Sequence, residues 1–180
     1  MNHIILEGFM GSGKSAVAKA LAKEMNLPLI DIDKQVESRL KMRTTEVYDR
    51  FGDVYYRAME TLILDELQSV EERSVIVLGS GLALMPQNAP YLKKLGKVYY
   101  LKVSKQLVVE RLSKGEKHSW LRAGDFEEHV SRMLKEREPA YKKVADYTIK
   151  VDGKKTAEIV QEIIEEDRKA ATEGEAVEED

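Results

Sequence analysis

A glycine-rich stretch near the start of the chain constrains its fold and chemistry more than any other feature. Residues 8–15 read Gly-Phe-Met-Gly-Ser-Gly-Lys-Ser and follow the short apolar run 4–6. Apolar residues then recur at the spacing of one helix face, so the context is strand, glycine turn and helix. In that context the pattern is typical of a phosphate-binding loop, because glycines let backbone N–H groups converge on phosphate oxygens. The alternative interpretation is a merely flexible glycine turn, which would not require the flanking strand and helix.

The loop predicts a site for a nucleoside triphosphate. The N-terminus of the helix adds partial positive charge, the Lys14 ammonium can reach the β- and γ-phosphates, and the Ser15 hydroxyl can ligate Mg2+. The residues predicted to contact the nucleotide in this stretch are Gly11, Ser12, Gly13, Lys14, Ser15 and Ala16.

Length and composition predict one cytoplasmic domain over residues 1–170. The chain has 180 residues, enough for a complete core, and no cysteine, which excludes disulfides, thiolate metal sites and cysteine catalysis. The apolar runs have the length of strands and begin almost at residue 1, so we expect neither a membrane span nor a signal peptide. We also expect a monomer, because no apolar face is left over.

Acidic residues at the end of the chain account for its net charge of −3. Residues 171–180 include five acidic residues and no lysine or arginine. We expect this tail to be disordered, since it has almost nothing apolar to bury. The rest of the chain is mildly basic, which suits a small anionic substrate, and it lacks the dense basic stripe that is typical of nucleic-acid binding.

Five short apolar runs alternate with helical stretches, which predicts an α/β fold. The runs span residues 4–6, 29–32, 75–78, 98–103 and 147–151. Repeated β-α units give a five-stranded parallel sheet with helices on both faces. Residues 34–60 form an insertion in this scheme, and residues 113–124 form a polar loop bracketed by glycines. In a phosphate-binding enzyme we expect a substrate-binding flap and a mobile lid there, although the second segment is also typical of an ordinary surface loop.

Asp31 and Asp33 close the second predicted strand, at the edge where the carboxyl ends of parallel strands gather ligands. Alternation along the strand would point both side chains towards the phosphate-binding loop. One carboxylate can hold Mg2+ through water, and the other can accept a proton from an attacking hydroxyl. The pair could instead cap a helix that begins near Lys34.

Two arginines in predicted helices can bind an anionic substrate. Arg57 and Glu60 share one helix face, so the glutamate can hold the guanidinium against a substrate carboxylate. An ordinary surface ion pair is the alternative. Arg137 precedes Pro139, which would kink or interrupt its helix and could aim the arginine inward, whereas a solvated arginine is equally consistent with this segment alone.

The third predicted strand ends in Gly79, Ser80 and Gly81, again at the carboxyl edge of the sheet. Glycines there permit a ligand to approach the backbone closely and expose N–H groups for hydrogen bonds. A simple turn from strand to loop is the alternative interpretation.

In combination these elements resemble the shikimate kinase family of P-loop enzymes. Their order and spacing match across residues 3–165. The matched elements are the 8–15 loop, Asp31-Ile32-Asp33, Tyr56-Arg57-x-x-Glu60 (usually Phe-Arg in the family), the turn 79–81 and Arg137-x-Pro139-x-Tyr141. Each later motif is weak alone, but together and in register they are specific. The resemblance implies a three-layer fold with strand order 2-3-1-4-5. It also implies transfer of the γ-phosphate of ATP, with Mg2+, to the 3-hydroxyl of shikimate.

The resemblance assigns roles to individual residues. It puts Asp33 at the substrate hydroxyls, as the general base, and it puts Arg57 and Arg137 on the substrate carboxylate. Arg111 matches a family arginine near the adenine. Lys14 and cations of the lid would neutralise the moving phosphoryl group.

Two positions depart from the family pattern. Ser80 replaces the middle glycine of the turn, which brings a hydroxyl beside the substrate. The family's lid sequence Arg-Pro-Leu-Leu aligns with residues 118–121, so His118, an imidazole with an ordinary pKa of about 6.5, replaces an arginine. A cation is still needed there, and protonated His118, Lys117 or Arg122 can supply it.

Two other functions are consistent with the sequence. One is a kinase for another small hydroxylated acid such as gluconate, and the other is a nucleotide-binding module with little catalysis. The two arginines favour a carboxylated acceptor, and the retained Asp33, Lys14 and Ser15 argue against a module that only binds.

Overall fold

Five strands alternate with seven α-helices within residues 2–114 and 125–178, which the computed structural model describes. The strands are β1 His3–Glu7, β2 Leu29–Asp31, β3 Val75–Val77, β4 Gly96–Lys102 and β5 Tyr147–Lys150. The helices are α1 Lys14–Met25, α2 Ile32–Leu40, α3 Thr44–Glu66, α4 Ala89–Leu95, α5 Lys105–Lys114, α6 Phe126–Val144 and α7 Thr156–Glu178.

The strands form one parallel sheet in the order β2-β3-β1-β4-β5. β1 lies in the centre, where Ile5 is opposite Ile76 of β3 and Val98 of β4. Side chains alternate along β1, so Ile4 and Leu6 pack in one apolar core and Ile5 in the other. Helices α1, α5, α6 and α7 contribute to the first core, and α2, α3 and α4 to the second. The predicted α/β fold and strand order are confirmed.

The junction between β2 and α2 differs from the prediction. β2 ends at Asp31, and α2 begins at Ile32, because Asp31 Oδ1 accepts a hydrogen bond of 3.2 Å from the Lys34 N–H and so caps the helix. Asp33 therefore lies in the first turn of a helix. Strand alternation was the wrong reason for expecting both aspartates on one side.

A helix occupies much of the segment that was expected to be an insertion. α3 begins at Thr44, where the Arg43 N–H donates to Glu46 Oε2 at 2.7 Å in a capping interaction. Gly52, with φ 80° and ψ 174°, interrupts the helical geometry, and a glycine adopts this conformation at little cost. Two helical segments thus form the region predicted as a substrate-binding insertion, and its role as a flap stays a prediction.

Two helices differ from what the sequence predicted. α6 runs through Pro139 without interruption, because Pro139 and Lys135 are both exposed and water can solvate the carbonyl that the proline leaves without a partner. α7 continues to Glu178, whereas disorder was expected from residue 171, since alanine and glutamate extend an existing helix readily. Among the described residues, no helix is long and apolar enough to cross a bilayer.

Candidate active site

A cavity of about 710 Å3 lies at the carboxyl edge of the sheet, where parallel α/β folds bind their ligands. The phosphate-binding loop, the β2–α2 junction, α3, the end of β3 and α6 line it. The predicted site residues on its wall are Gly11, Gly13, Lys14, Ser15, Ala16, Asp31, Asp33, Arg57, Glu60, Ser80 and Arg137. The lid residues His118 and Arg122 lie outside the residues that the structure describes.

Glycines shape the phosphate-binding loop. Gly11 and Gly13 have φ angles of 77° and 90°, which residues with a Cβ rarely adopt. Lys14 Nζ donates to the carbonyl oxygens of Gly8 and Phe9 at 2.6 and 3.2 Å, so its ammonium lies across the loop. Burial lowers the pKa of Lys14 to about 8, and nearby carboxylates oppose this shift. An anion bound in the loop would favour the charged ammonium further.

Ser12 and Arg111 support the loop from outside the cavity. Ser12 is 1% exposed, and its Oγ has no hydrogen-bond partner among the described residues. A Cβ on Gly8 would lie 2.9 Å from that Oγ, so this position requires glycine. Arg111 Nη1 donates to the Gly11 carbonyl at 2.8 Å, which ties α5 to the loop. The nucleotide contacts expected of Ser12 and Arg111 stay predictions.

Both aspartates reach the cavity wall, with different partners. Asp31 caps α2, so the capping interpretation is correct for this residue and does not remove it from the cavity. Burial raises the pKa of Asp31, and the hydrogen bond from the Lys34 N–H partly offsets the rise. Asp33 Oδ1 accepts a hydrogen bond from the Tyr56 hydroxyl. Asp33 is therefore the carboxylate that an adjacent side chain orients.

Two carboxylates and two aromatic rings hold Arg57. Its Nη1 lies 2.5 Å from Glu60 Oε2, and its Nε lies 3.3 Å from Asp53 Oδ1. The ring centres of Tyr48 and Tyr56 are 5.6 and 5.5 Å from the guanidinium carbon. Arg57 is 8% exposed and Glu60 is 0% exposed, so the surface ion pair is the wrong interpretation. Burial raises the pKa of Glu60 to about 7, although Arg57 opposes the shift.

The glycines of the 79–81 turn make room for this ion pair. A Cβ on Gly79 would overlap Glu60 Oε1, and a Cβ on Gly81 would overlap the Arg57 guanidinium. The sequence predicted a close approach of a ligand to this turn. The approaching groups in the structure are side chains of α3, and the predicted contact of the two glycines with a substrate stays a prediction.

Helix α6 brings the second arginine to the same turn. Arg137 Nη1 donates to Ser80 Oγ at 3.3 Å, and its guanidinium carbon lies 5.8 Å from the centre of the Phe9 ring. The Tyr141 hydroxyl donates to the Ser80 carbonyl and fixes α6 to the turn. Ser80, where the resembled family has glycine, thus supplies an oxygen that orients Arg137 on the cavity wall.

One whole face of α6 lines the cavity, and Arg137 is the one residue of this face that the sequence predicted as a site residue. The others are His129, Arg132, Met133 and Glu136, and the set recurs at helical spacing, which is the signal that could have revealed it. Arg132 Nη2 donates to His129 Nδ1 at 2.7 Å. The first half of α3 was also missed, because it was not expected to be a helix; it contributes Thr44, Thr45, Tyr48, Asp49 and Asp53.

A buried carboxyl group at the end of β1 was missed as well. Glu7 is 1% exposed, and neither of its carboxyl oxygens has a hydrogen-bond partner among the described residues. Burial raises the pKa of Glu7 to about 8, and the Lys14 ammonium opposes the rise. A glutamate that ends an apolar strand gives no sequence signal of this environment.

Comparisons with known proteins show the family of the chain. A family model for shikimate kinase matches residues 10–168. A shikimate kinase of Caldanaerobacter subterraneus subsp. tengcongensis is 35% identical over 164 residues, which cover 91% of this chain and 95% of that protein. The structure of shikimate kinase from Acinetobacter baumannii in complex with shikimate superposes with a TM-score of 0.84 at 29% identity and covers 91% of each chain. A gluconokinase from Sinorhizobium meliloti 1021 has a TM-score of 0.62 at 22% identity, over 96% of this chain and 94% of that one, which shows the fold alone. The chain belongs to the shikimate kinase family.

Proposed function

We propose that this protein transfers the γ-phosphate of ATP to the 3-hydroxyl of shikimate. The observation that carries the proposal is the convergence of Lys14, Asp33 and two arginines on one cavity. Phosphoryl transfer to a hydroxylated acid needs a cation at the phosphates, a base at the hydroxyl and a positive partner for the carboxylate. The family membership and the relative solved in complex with shikimate support the choice of acceptor.

The loop residues fit ATP and Mg2+. The Lys14 ammonium, which donates to the carbonyl oxygens of Gly8 and Phe9, can turn to the β- and γ-phosphates. In residues 2–114 and 125–172, no three acidic or histidine side chains are grouped to hold a metal ion, and a magnesium ion at such a site is held by few protein oxygens and by phosphates. Ser15 and Asp31, both on the cavity wall, would hold it. When bound, Mg2+ neutralises charge on the phosphates.

The acceptor would lie between α3, α6 and the end of β3. Arg57 and Arg137 would bind its carboxylate through charge-assisted hydrogen bonds, with Glu60 keeping Arg57 in place. Asp33 Oδ2 takes the proton of the 3-hydroxyl as the hydroxyl oxygen bonds to the γ-phosphorus. The bond between that phosphorus and the β–γ bridging oxygen breaks, and ADP leaves. Lys14 stabilises the charge of the group in transfer.

The lid would complete the site during transfer. Residues 113–124 carry Lys117, His118 and Arg122, and we assign the cationic role of the lid to Arg122 or to a protonated His118. Such a cation would neutralise the negative charge that develops on the phosphoryl group during transfer. Arg111, held against the loop, would lie near the adenine.

We further propose a cytoplasmic monomer, with residues 1–170 as one catalytic domain. Its partners would be ATP and the small acid, without nucleic acid or membrane. Light scattering on the purified protein measures the oligomeric state, and a mass above that of one chain would contradict this part of the proposal.

Release of ADP with shikimate, with gluconate and without an acceptor tests the function directly. We expect turnover that depends on shikimate and is lost in Lys14→Met. Turnover with gluconate alone would support a different hydroxy acid as substrate. Nucleotide binding without turnover on either acid would support a module that only binds.

A further inference from the structure

Tyr56 places a hydroxyl donor next to the residue proposed as the base. Its side chain is 1% exposed, and its hydroxyl donates to Asp33 Oδ1. The ring stacks on Tyr48 with centres 4.3 Å apart and an interplanar angle of 25°, and the Arg57 guanidinium lies 5.5 Å from its centre. These contacts fix the ring and therefore the position of its hydroxyl oxygen, and the hydrogen bond to Asp33 sets the direction of the O–H bond.

The phenol is a permanent donor in this environment. Burial first, and then the Asp33 carboxylate, raise the pKa of Tyr56 far above its ordinary value, so the phenol keeps its proton at neutral pH. A hydroxyl that cannot ionise can only donate to an adjacent carboxylate. The contact therefore always presents the same hydrogen bond to Asp33.

The hydrogen bond distinguishes the two oxygens of Asp33. Oδ1 accepts from Tyr56, and it also lies 2.9 Å from the point that a Cβ on Gly79 would occupy, so it packs against the end of β3. Asp33 lines the cavity, which leaves Oδ2 as the oxygen for a ligand. The carboxylate is planar and its side chain is short, so once Oδ1 is held in place the position of Oδ2 is set as well.

We propose that Tyr56 is a positioning residue, which holds Asp33 Oδ1 so that Oδ2 faces the hydroxyl of the acceptor. This role rests on the proposed function, because it concerns the base of that reaction. Tyr56 acts through Asp33 and does not need to touch the acceptor. Its loss should therefore slow the proton transfer while the arginines still bind the acceptor carboxylate.

Tyr56→Phe removes only the hydroxyl and is the variant that tests the role. We expect kcat to fall roughly 10- to 100-fold, because a misaligned base loses much of its effect, while the KM for shikimate changes less than about twofold. Tyr55→Phe is the matched control, since it removes a hydroxyl from the preceding residue of α3, whose exposed ring packs on Phe51 and does not line the cavity. We expect the kcat of this control to stay within about twofold of the wild type.

A double-mutant cycle separates positioning from general damage. In an Asp33→Asn background, Tyr56→Phe should cause no further loss of kcat, because the base that it positions is absent. Thermal unfolding of each variant checks that the protein remains folded. A wild-type kcat in Tyr56→Phe, or an equal further loss in the Asp33→Asn background, would overturn the role of Tyr56 alone. Absence of shikimate-dependent turnover in the wild type would instead overturn the proposed function, and this role with it.

Discussion

Replacement of Glu7 by glutamine should stabilise the protein, and the gain should grow with pH. In the folded protein burial raises the pKa of Glu7 from 4.5 to about 8. Below pH 4.5 the folded and unfolded chains both hold the proton, so ionisation contributes nothing. As the pH rises from 4.5 to about 8, the unfolded chain releases the proton and the folded chain keeps it, so the wild type loses stability. Glutamine cannot ionise and avoids that loss.

The size of the effect follows from the shift in pKa. One pKa unit corresponds to about 1.4 kcal/mol, so at pH 7.5 the free energy of unfolding of Glu7→Gln should exceed that of the wild type by about 4 kcal/mol, relative to the difference at pH 4.5. At pH 5 the same quantity should be below about 1 kcal/mol. For a chain of this length, the gain at pH 7.5 corresponds to about 10 °C in Tm.

Circular dichroism melts between pH 5 and pH 7.5 measure this directly. The range stops below the pKa of Lys14, which burial lowers to about 8 and which would add its own pH dependence. Glu71→Gln, at an exposed glutamate, is the matched control and should follow the wild type at every pH. A difference between Glu7→Gln and the wild type that stays constant across this range would refute the raised pKa and the reasoning from burial.

Three further changes test the proposed roles of individual residues. Gly79→Ala should lower the free energy of unfolding by about 1–3 kcal/mol and abolish turnover, because its Cβ would displace the buried glutamate of α3; a wild-type Tm would contradict this packing. Arg137→Met should raise the KM for shikimate about 10- to 100-fold with little change in the KM for ATP, whereas Lys135→Met, on the exposed side of α6, should change neither. Arg122→Ala should lower kcat more than His118→Ala, and an unaffected Arg122 variant would reject Arg122 as the lid cation.

The features that the sequence predicted well are set by local spacing. The 8–15 loop, the alternation of apolar runs with helical stretches and the strand order implied by the family resemblance all agree with the structure. Each depends on residues a few positions apart, or on several motifs in register. Such patterns can be recognised without knowledge of tertiary contacts. Helix ends were less predictable, since the cap at Arg43 and the tolerated Pro139 depend on nearby side chains and on exposure.

The features that the sequence did not reveal arise where distant segments meet. The Tyr56 hydroxyl reaches Asp33 only because α3 packs over the start of α2. Gly79 is needed because Glu60 approaches it from another element, and no local pattern contains that clash. The burial of Glu7 likewise depends on the strands and helices around β1, since a single acidic residue at a strand end usually reaches water.

In the proposed reaction, one cavity joins the terminal phosphate of ATP to a hydroxyl of a small carboxylic acid. Phosphorus NMR of the protein with ATP, Mg2+ and shikimate follows the transferred group itself. We predict that the γ-phosphate signal decays while a phosphomonoester signal grows in equal amount, coupled to the ring proton at carbon 3 of shikimate. Appearance of inorganic phosphate in place of the ester, or an unchanged spectrum, would contradict the claim.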